Sequence, residues 1–302
     1  MFEFYSPGKL LITGEYFVLS GATAFALPTF KGQRMQVIQI ENPVLKWKSY
    51  TNSQEIWINT TLSLVDFECV ESSNTPLPLI QKLQKILRCI RLMQPHFCSS
   101  GFEVITQLEF DRNWGFGSSS TLINNLAQWA VVNPYKLLDL TIGGSGYDIA
   151  VAQAKKPILF TRNQYSPSIE PLEFNPDFIN ELYLVYLNQK QDSQKEVTAY
   201  KKRKQPKLEQ IDQISQISLA LTNSNSLKDF NKLLLTHERL VGTILDKEPI
   251  QKRLFPDFNG QIKSLGAWGG DFILATGSTS ISYFKKKGFS TILSYNDIIS
   301  TK

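Results

Sequence analysis

The sequence predicts an α+β chain folded as two lobes with a cleft between them. Three observations lead there. Short strand-like apolar runs punctuated by glycine and proline occupy residues 2–70, and a strand, a glycine-serine loop and a helix follow one another over residues 102–131. Two long helical patterns, 207–222 and 226–246, then stand beyond a proline-marked segment. A chain that mixes such runs buries them by packing helices on sheets.

Residues 2–5, 10–12 and 35–40 read as strands of a mainly antiparallel sheet, continued by 56–58 and 62–65. Pro76 and Pro78 break that pattern, and Leu79, Leu83, Ile86, Leu87 and Ile90 recur at helical spacing. The strand 102–110 runs into the glycine-serine loop, and residues 121–131 read as the helix after it. Residues 149–154 read as helix and 158–161 as strand. Pro167, Pro171 and Pro176 mark the boundary, giving domains 1–168 and 169–302. The second half adds a strand at 182–187, the two long helices, a strand at 272–276, and a short closing helix and strand.

The chain has 302 residues, enough for one large or two moderate domains. Its 32 Lys and Arg against 27 Asp and Glu give a charge of +5, which suits a small anionic ligand but falls short of a dedicated nucleic-acid binder. The basic run Lys201-Lys202-Arg203-Lys204 has no accompanying aromatic platform, so it reads as a solvated face. Three cysteines make no paired framework and point to a reducing compartment, and no apolar run has transmembrane length. The expectation is a cytoplasmic protein with no membrane or nucleic-acid partner. A homodimer is compatible with the sequence.

Four segments carry candidate chemistry. Gly115-Phe116-Gly117-Ser118-Ser119-Ser120 can turn backbone N–H groups onto phosphate at a helix start, although serines there also serve as ordinary helix caps. Gly143-Gly144-Ser145-Gly146-Tyr147-Asp148 places a carboxylate beside flexible backbone, where Asp148 either orients an attacking hydroxyl or caps the next helix. Gly266-Ala267-Trp268-Gly269-Gly270-Asp271 precedes a strand and reads equally as a hairpin turn. Ser6-Pro7-Gly8-Lys9 precedes the strand 10–12, and Lys9 is either a charge-stabilising ammonium or a solvated turn lysine. His96, Cys98 and Cys89 fit no zinc spacing, and no Gly-x-Ser-x-Gly elbow is present.

Together these segments resemble the GHMP family of small-molecule kinases, named for galactose, homoserine, mevalonate and phosphomevalonate. The stretch from Ser6-Pro7-Gly8-Lys9 through Gly14-Glu15-Tyr16 to Leu19 resembles the first motif of its mevalonate and phosphomevalonate branch, Gly115 to Ser120 the second motif, and Gly266 to Asp271 the third. The resemblance implies an N-terminal ATP-binding α/β domain and a C-terminal ferredoxin-like domain. It implies ATP and Mg2+ as cofactors, with Gly115, Phe116, Gly117, Ser118, Ser119 and Ser120 at the nucleotide and Ser119 also at the metal. Asp148 and Lys9 take the catalytic positions. Glu15, Tyr16, Gly269 and Gly270 fall beside the acceptor, as do Ser193 and Lys195 in a segment similar to the family's substrate loop.

The implied activity is transfer of a phosphoryl group to phosphomevalonate or mevalonate. Tyr16 stands where mevalonate kinases usually have His, and residues 131–145 offer no magnesium-binding glutamate, so the phosphomevalonate side is favoured. Trp268 replaces a usual glycine and is expected to reshape the acceptor end; Ser120-Thr121 replaces small alanines and is expected to hydrate the helix start. A GHMP kinase with another acceptor, or a nucleotide-binding paralogue of weak activity with a regulatory or scaffold role, is the alternative.

Overall fold

The computed structural model describes residues 1–302 except 164, 190–192, 203, 204, 269, 270 and 300–302, together with the side chains of residues 193–195 and 201. The chain forms two compact units. The first comprises Met1–Gly8, Lys31–Arg112 and Phe116–Gln153, and the second Lys9–Phe30, Asn113–Gly115 and Ala154–Lys302. Each unit is assembled from separated stretches of chain.

The first unit is built on a sheet in the order β5-β4-β3-β6-β2. Its strands are β2 (Ala24–Ile40), β3 (Val44–Tyr50), β4 (Ile56–Ser63), β5 (Cys69–Ser72) and β6 (Gly101–Leu108). The pairing of β3 with β6 is parallel and the others are antiparallel, with Gln33 to Ile40 of β2 registered against Leu108 to Gly101. Strand β1 (Phe2–Leu11) pairs with β2 off this path. It runs unbroken through Pro7 and Gly8, where the sequence reads as a turn. A proline lacks the ladder donor, and a strand outside the main path tolerates that loss.

Helices α1 (Leu77–Met93), α2 (Ser118–Ala130), α3 (Pro134–Thr141) and α4 (Tyr147–Gln153) complete the unit. The apolar stripe of α1, Leu83, Ile86, Leu87 and Ile90, packs with Ile123, Leu126 and Ala130 of α2 over Trp47 and Val104 of the sheet. Pro76 precedes α1 and Pro78 falls within its first turn, where a missing donor costs nothing. Asn133 caps α3 by accepting from the Tyr135 and Lys136 amides.

In the second unit, Ala24 to Ala26 of β2 pairs with β7 (Ile158–Thr161), which pairs in turn with β8 (Ser168–Pro171). The remainder follows the order β9 (Leu182–Tyr186), α5 (Ser193–Lys201), α6 (Leu208–Thr222), α7 (Leu227–Leu245), α8 (Ile250–Leu254), β10 (Ile262–Ser264), β11 (Phe272–Thr276), α9 (Ser280–Lys286), β12 (Ile292–Ser294) and α10 (Tyr295–Ile298). Its antiparallel sheet has the order β10-β11-β9-β12, the split arrangement of a ferredoxin-like domain. Phe255, Phe258, Ile273 and Phe284 fill its core. Among the described residues no helix is long and apolar enough to cross a membrane.

Candidate active site

In the first unit the glycine-serine loop opens directly into α2. Gly117 precedes the helix with φ 89°, a left-handed conformation that favours glycine, and has no side chain with which to cap the first turn. No acidic residue stands in that turn, so its N–H groups and the positive end of the dipole are left for an anion. The helix begins at Ser118, three residues before the apolar periodicity does, and this puts Ser118, Ser119 and Ser120 inside the first turn.

The serines divide by task. Ser120 is buried and donates to the Gly117 carbonyl at 2.9 Å, while Thr121 donates to Gln33 Oε1 at 2.7 Å. Satisfied and buried, this pair does not hydrate the helix start as expected from sequence; it ties that start to β2. Phe116 is buried against Phe110, so only its backbone is available to a nucleotide. Ser119 is half-buried and accepts a hydrogen bond from Lys82 Nζ at 3.0 Å. Lys82 belongs to α1.

A buried polar network keeps α2 in place. Asn124 donates to Ser6 Oγ at 2.9 Å, Ser6 donates to Asn125 Oδ1 at 2.7 Å, and Asn125 donates to the Gln33 carbonyl at 3.0 Å. Asn124 also reaches the Ala152 carbonyl at 3.3 Å and accepts from Gln153 at 3.0 Å, fastening α4 to α2. The helices that carry Ser119 and Asp148 are thereby locked together. Asp148 is half-buried in the first turn of α4, where its Oδ1 accepts the Ile149 amide at 3.2 Å. The hydroxyl of Tyr135 is buried without a hydrogen-bond partner among the described residues. Burial first, and the Asp148 charge second, push that phenol up to about 12.

The second unit contains Lys9, half-buried on β1, and the rest of the first motif. Glu15 is 1% exposed and forms an ion pair with Lys263, which is 0% exposed. Tyr16, at φ 64°, is buried and donates to the Ala267 carbonyl at 2.9 Å. Both residues, expected beside the acceptor, have polar groups engaged within the protein.

His237 accepts the Gly14 amide on Nε2 at 2.9 Å and is held well below the usual histidine range, by burial first and by Lys263 second. Its 3.3 Å contact with Glu15 Oε2 is therefore a contact with neutral imidazole and not an ion pair. Glu238 accepts from the Ser264 amide at 2.9 Å, and burial pushes its carboxyl up to about 8.

The third motif meets the start of the glycine-serine loop in this same unit. Gly115 has φ 67°, and a Cβ there would lie 2.6 Å from Asp271 Oδ2. Trp114 packs edge-on against Phe272 at 5.7 Å between ring centroids. Trp268 is 3% exposed and left-handed at φ 57°, and it fills a core with Tyr16, Phe17, Tyr200 and Val241. Ser193 and Lys195 lie on α5 with side chains outside the described ones, and Gly269 and Gly270 fall outside the described residues.

Among the described residues no three His, Cys, Asp or Glu side chains are grouped as a metal site. The half-buried Ser119 hydroxyl, beside the Lys82 ammonium, is an oxygen presented in this turn. A magnesium ion brought in on a triphosphate, with most ligands from phosphate and water, fits that donor set.

Several solved structures similar over nearly the whole chain are described as small-molecule kinases. A Streptococcus pneumoniae phosphomevalonate kinase in complex with phosphomevalonate and AMPPNP aligns with TM-score 0.69 and 16% identity, covering 95% of this chain and 96% of its own. A Methanococcus jannaschii mevalonate kinase aligns with TM-score 0.69 and 13% identity over 100% and 98% of the two chains. The chain shares the GHMP kinase fold. A Lactococcus lactis galactokinase complexed with galactose, at TM-score 0.60 and 14% identity over 94% and 87%, carries the same fold with a sugar in place of a mevalonate compound. No family model and no curated protein matches the chain.

The first unit thus joins Ser119 and Asp148 through packed helices and adds Lys82, which the sequence reading missed. Lys82 lies one residue before Leu83 of the apolar stripe and carries no motif of its own. The second unit holds Lys9, brings Gly115 to Asp271, and pairs Glu15 with the buried Lys263 and His237 near Glu238. Helical spacing puts His237 and Glu238 on the apolar face of α7 with Leu234 and Val241, and that is a signal the sequence does carry.

Proposed function

We propose that the protein transfers the terminal phosphoryl group of ATP to a small anionic acceptor, with phosphomevalonate favoured and mevalonate next. The observation that carries this reading is the uncapped first turn of α2, with a lysine ammonium on its half-buried serine. An N-terminal turn of that kind holds phosphate through backbone donors. Lys82 adds a point charge to the same place.

Phosphoryl transfer asks the protein for alignment and charge neutralisation more than for covalent chemistry. In this reading the amides of Ser118 and Ser119 hold the triphosphate, Ser119 contributes a ligand to its magnesium, and Lys82 and Lys9 offset charge as it spreads over the transferred group. Magnesium, when bound, neutralises the phosphate oxygens. Asp148 aligns the acceptor oxygen. An acceptor that is itself a phosphate is already anionic at neutral pH, so Asp148 then acts by placement, whereas a hydroxyl acceptor also needs its proton taken.

A different acceptor is the second reading, favoured by Trp268, whose indole occupies core space beside Tyr16 and Tyr200. One experiment separates these readings. The protein is incubated with MgATP and a panel of phosphomevalonate, mevalonate, homoserine and simple sugars, and ADP release and product mass are measured. Phosphomevalonate-dependent ADP is expected. Turnover of a sugar alone supports the second reading, and no acceptor-dependent ADP supports a nucleotide-binding paralogue of weak activity. In the active case Asp148→Asn lowers kcat by about 10²-fold or more while nucleotide binding survives; unchanged turnover removes Asp148 from the mechanism.

A further inference from the structure

We infer that Tyr16 is a positioning residue of the second unit, its ring holding Tyr200 of α5 and its hydroxyl holding Ala267 of the third motif. The consequence for the acceptor rests on the kinase reading, whereas the contacts stand within the second unit alone. Tyr16 sits on strained backbone. At φ 64° and ψ -45°, with the Phe17 amide donating to the Glu15 carbonyl at 2.7 Å, residues 15–17 form a γ-turn of the rare hand. A bulky residue stays in that region only where its surroundings hold it there.

Two contacts made by the buried side chain do so. The hydroxyl donates to the Ala267 carbonyl at 2.9 Å, and the ring centroid lies 4.9 Å from that of Tyr200, tilted by 39°. Both separations are those of real attraction. Ile214 of α6, Val241 of α7 and Trp268 complete the same core. Gly242 leaves room for the indole, since a Cβ there would come 3.3 Å from it. The Trp268 Nε1 is buried without a hydrogen-bond partner among the described residues, so packing keeps the indole in place.

Helix α5 needs such an anchor, because its nine residues are too few to hold a helix in water unaided. Tyr200 is the buried side chain among those described on α5, and Glu196, one turn earlier on the same face, pairs with Lys247 at 3.4 Å. An ion pair that water reaches contributes little, so the buried ring is the stronger anchor of the two. Ser193 and Lys195, the residues expected beside the acceptor, belong to this helix. Pinned by Tyr200, α5 holds them on ordered backbone; released, it must be ordered again by each acceptor that binds. Tyr16 thus serves the acceptor through Tyr200 and not by touching it.

Hydrogen exchange of the full chain, read by mass spectrometry in peptides covering α5 and the third motif, tests both contacts, with β9 as the internal reference for folding. Tyr200→Leu is expected to speed exchange in α5 about 10-fold or more and to leave β9 protected, while Tyr200→Phe keeps the ring and restores the protection. Tyr16→Phe removes the hydroxyl alone and is expected to speed exchange in the third motif while α5 stays protected. Wild-type exchange of α5 in Tyr200→Leu, or of the third motif in Tyr16→Phe, overturns the corresponding half. The ring contact has its own readout in protein labelled with 3-fluorotyrosine. The Tyr16 signal, assigned by its loss in Tyr16→Phe, is expected to shift in Tyr200→Leu, and an unmoved signal overturns the contact. If the wild type turns over an acceptor, Tyr200→Leu is expected to raise KM for that acceptor about 10-fold with KM for ATP nearly constant, and Tyr200→Phe to restore it. An unchanged acceptor KM overturns the link between α5 and the acceptor. If no acceptor is turned over, the kinase reading fails separately, and the exchange and fluorine signals still decide the contacts.

Discussion

At the scale of the residue, Lys82 and Glu238 make the sharpest claims. Lys82 reaches the half-buried Ser119 hydroxyl from a neighbouring helix, and at that distance an ammonium serves a phosphate as well as a serine. Lys82→Met preserves the aliphatic stem and removes the charge. It is expected to lower kcat/KM for MgATP by about 10²-fold, measured in steady-state kinetics with the acceptor identified by the panel. An unaltered value would confine Lys82 to tethering the loop.

Glu238 makes a claim about pH. Its folded-state carboxyl stands near 8 against an ordinary 4.5, so the folded protein prefers the protonated form. Stability from this group is fully present below pH 4.5 and is lost as pH rises toward 8, amounting to about 3 kcal/mol at neutral pH. Glu238→Gln keeps an acceptor for the Ser264 amide and cannot ionise. Urea unfolding is expected to find the variant about 3–4 kcal/mol more stable than wild type at pH 8 and within about 1 kcal/mol of it at pH 5. A loss of stability at pH 8 would mean that an ionised Glu238 is itself stabilised by Lys263.

At the scale of the element, the glycine-serine loop and the helix after it were legible because their determinants are local: glycines for left-handed backbone, serines for a helix start. The helix start itself was placed three residues late, because the apolar stripe begins inside the helix while Ser118 to Ser120 are held by Gly117 and not by periodicity. Strand β3 was missed, since Lys46 and Lys48 alternate with buried Leu45 and Trp47 over only seven residues. The contact between Asp271 and Gly115 was invisible, because nothing near either residue reports a partner about 150 positions away. That contact makes a prediction for the loop. Gly115→Ala must hold alanine at φ 67° and push back a carboxylate, so it is expected to cost about 1–3 kcal/mol in thermal unfolding and to weaken ATP binding in calorimetry. Wild-type stability and affinity would mean that the loop shifts freely away from Asp271.

At the scale of the whole molecule, the α+β class was readable, since long amphipathic helices and fully buried strands such as β11 announce themselves, whereas the ferredoxin-like order came only from the family resemblance and β10 was not read at all. The interleaving of the chain was not. Residues 9–30 belong to the second unit, although they lie within the first tenth of the sequence. They bring Glu15 to Lys263, Gly14 to His237 and Thr13 to Ser218, and Ala24 to Ala26 pair with β7. A fragment comprising residues 169–302 keeps Lys263, His237 and Ser218 but loses Glu15, Gly14 and Thr13, and with them the whole of β7. A buried ammonium stripped of its carboxylate costs about 3–5 kcal/mol, a large part of the stability of an ordinary domain. The isolated fragment is therefore expected to lack cooperative unfolding and dispersed amide resonances. Supplying residues 1–168 as a separate chain should restore both, because the segment between β1 and β2 then returns Thr13, Gly14 and Glu15. A fragment that folds cooperatively by itself would mean that the buried cluster of Lys263, His237 and Glu238 does not need the first motif.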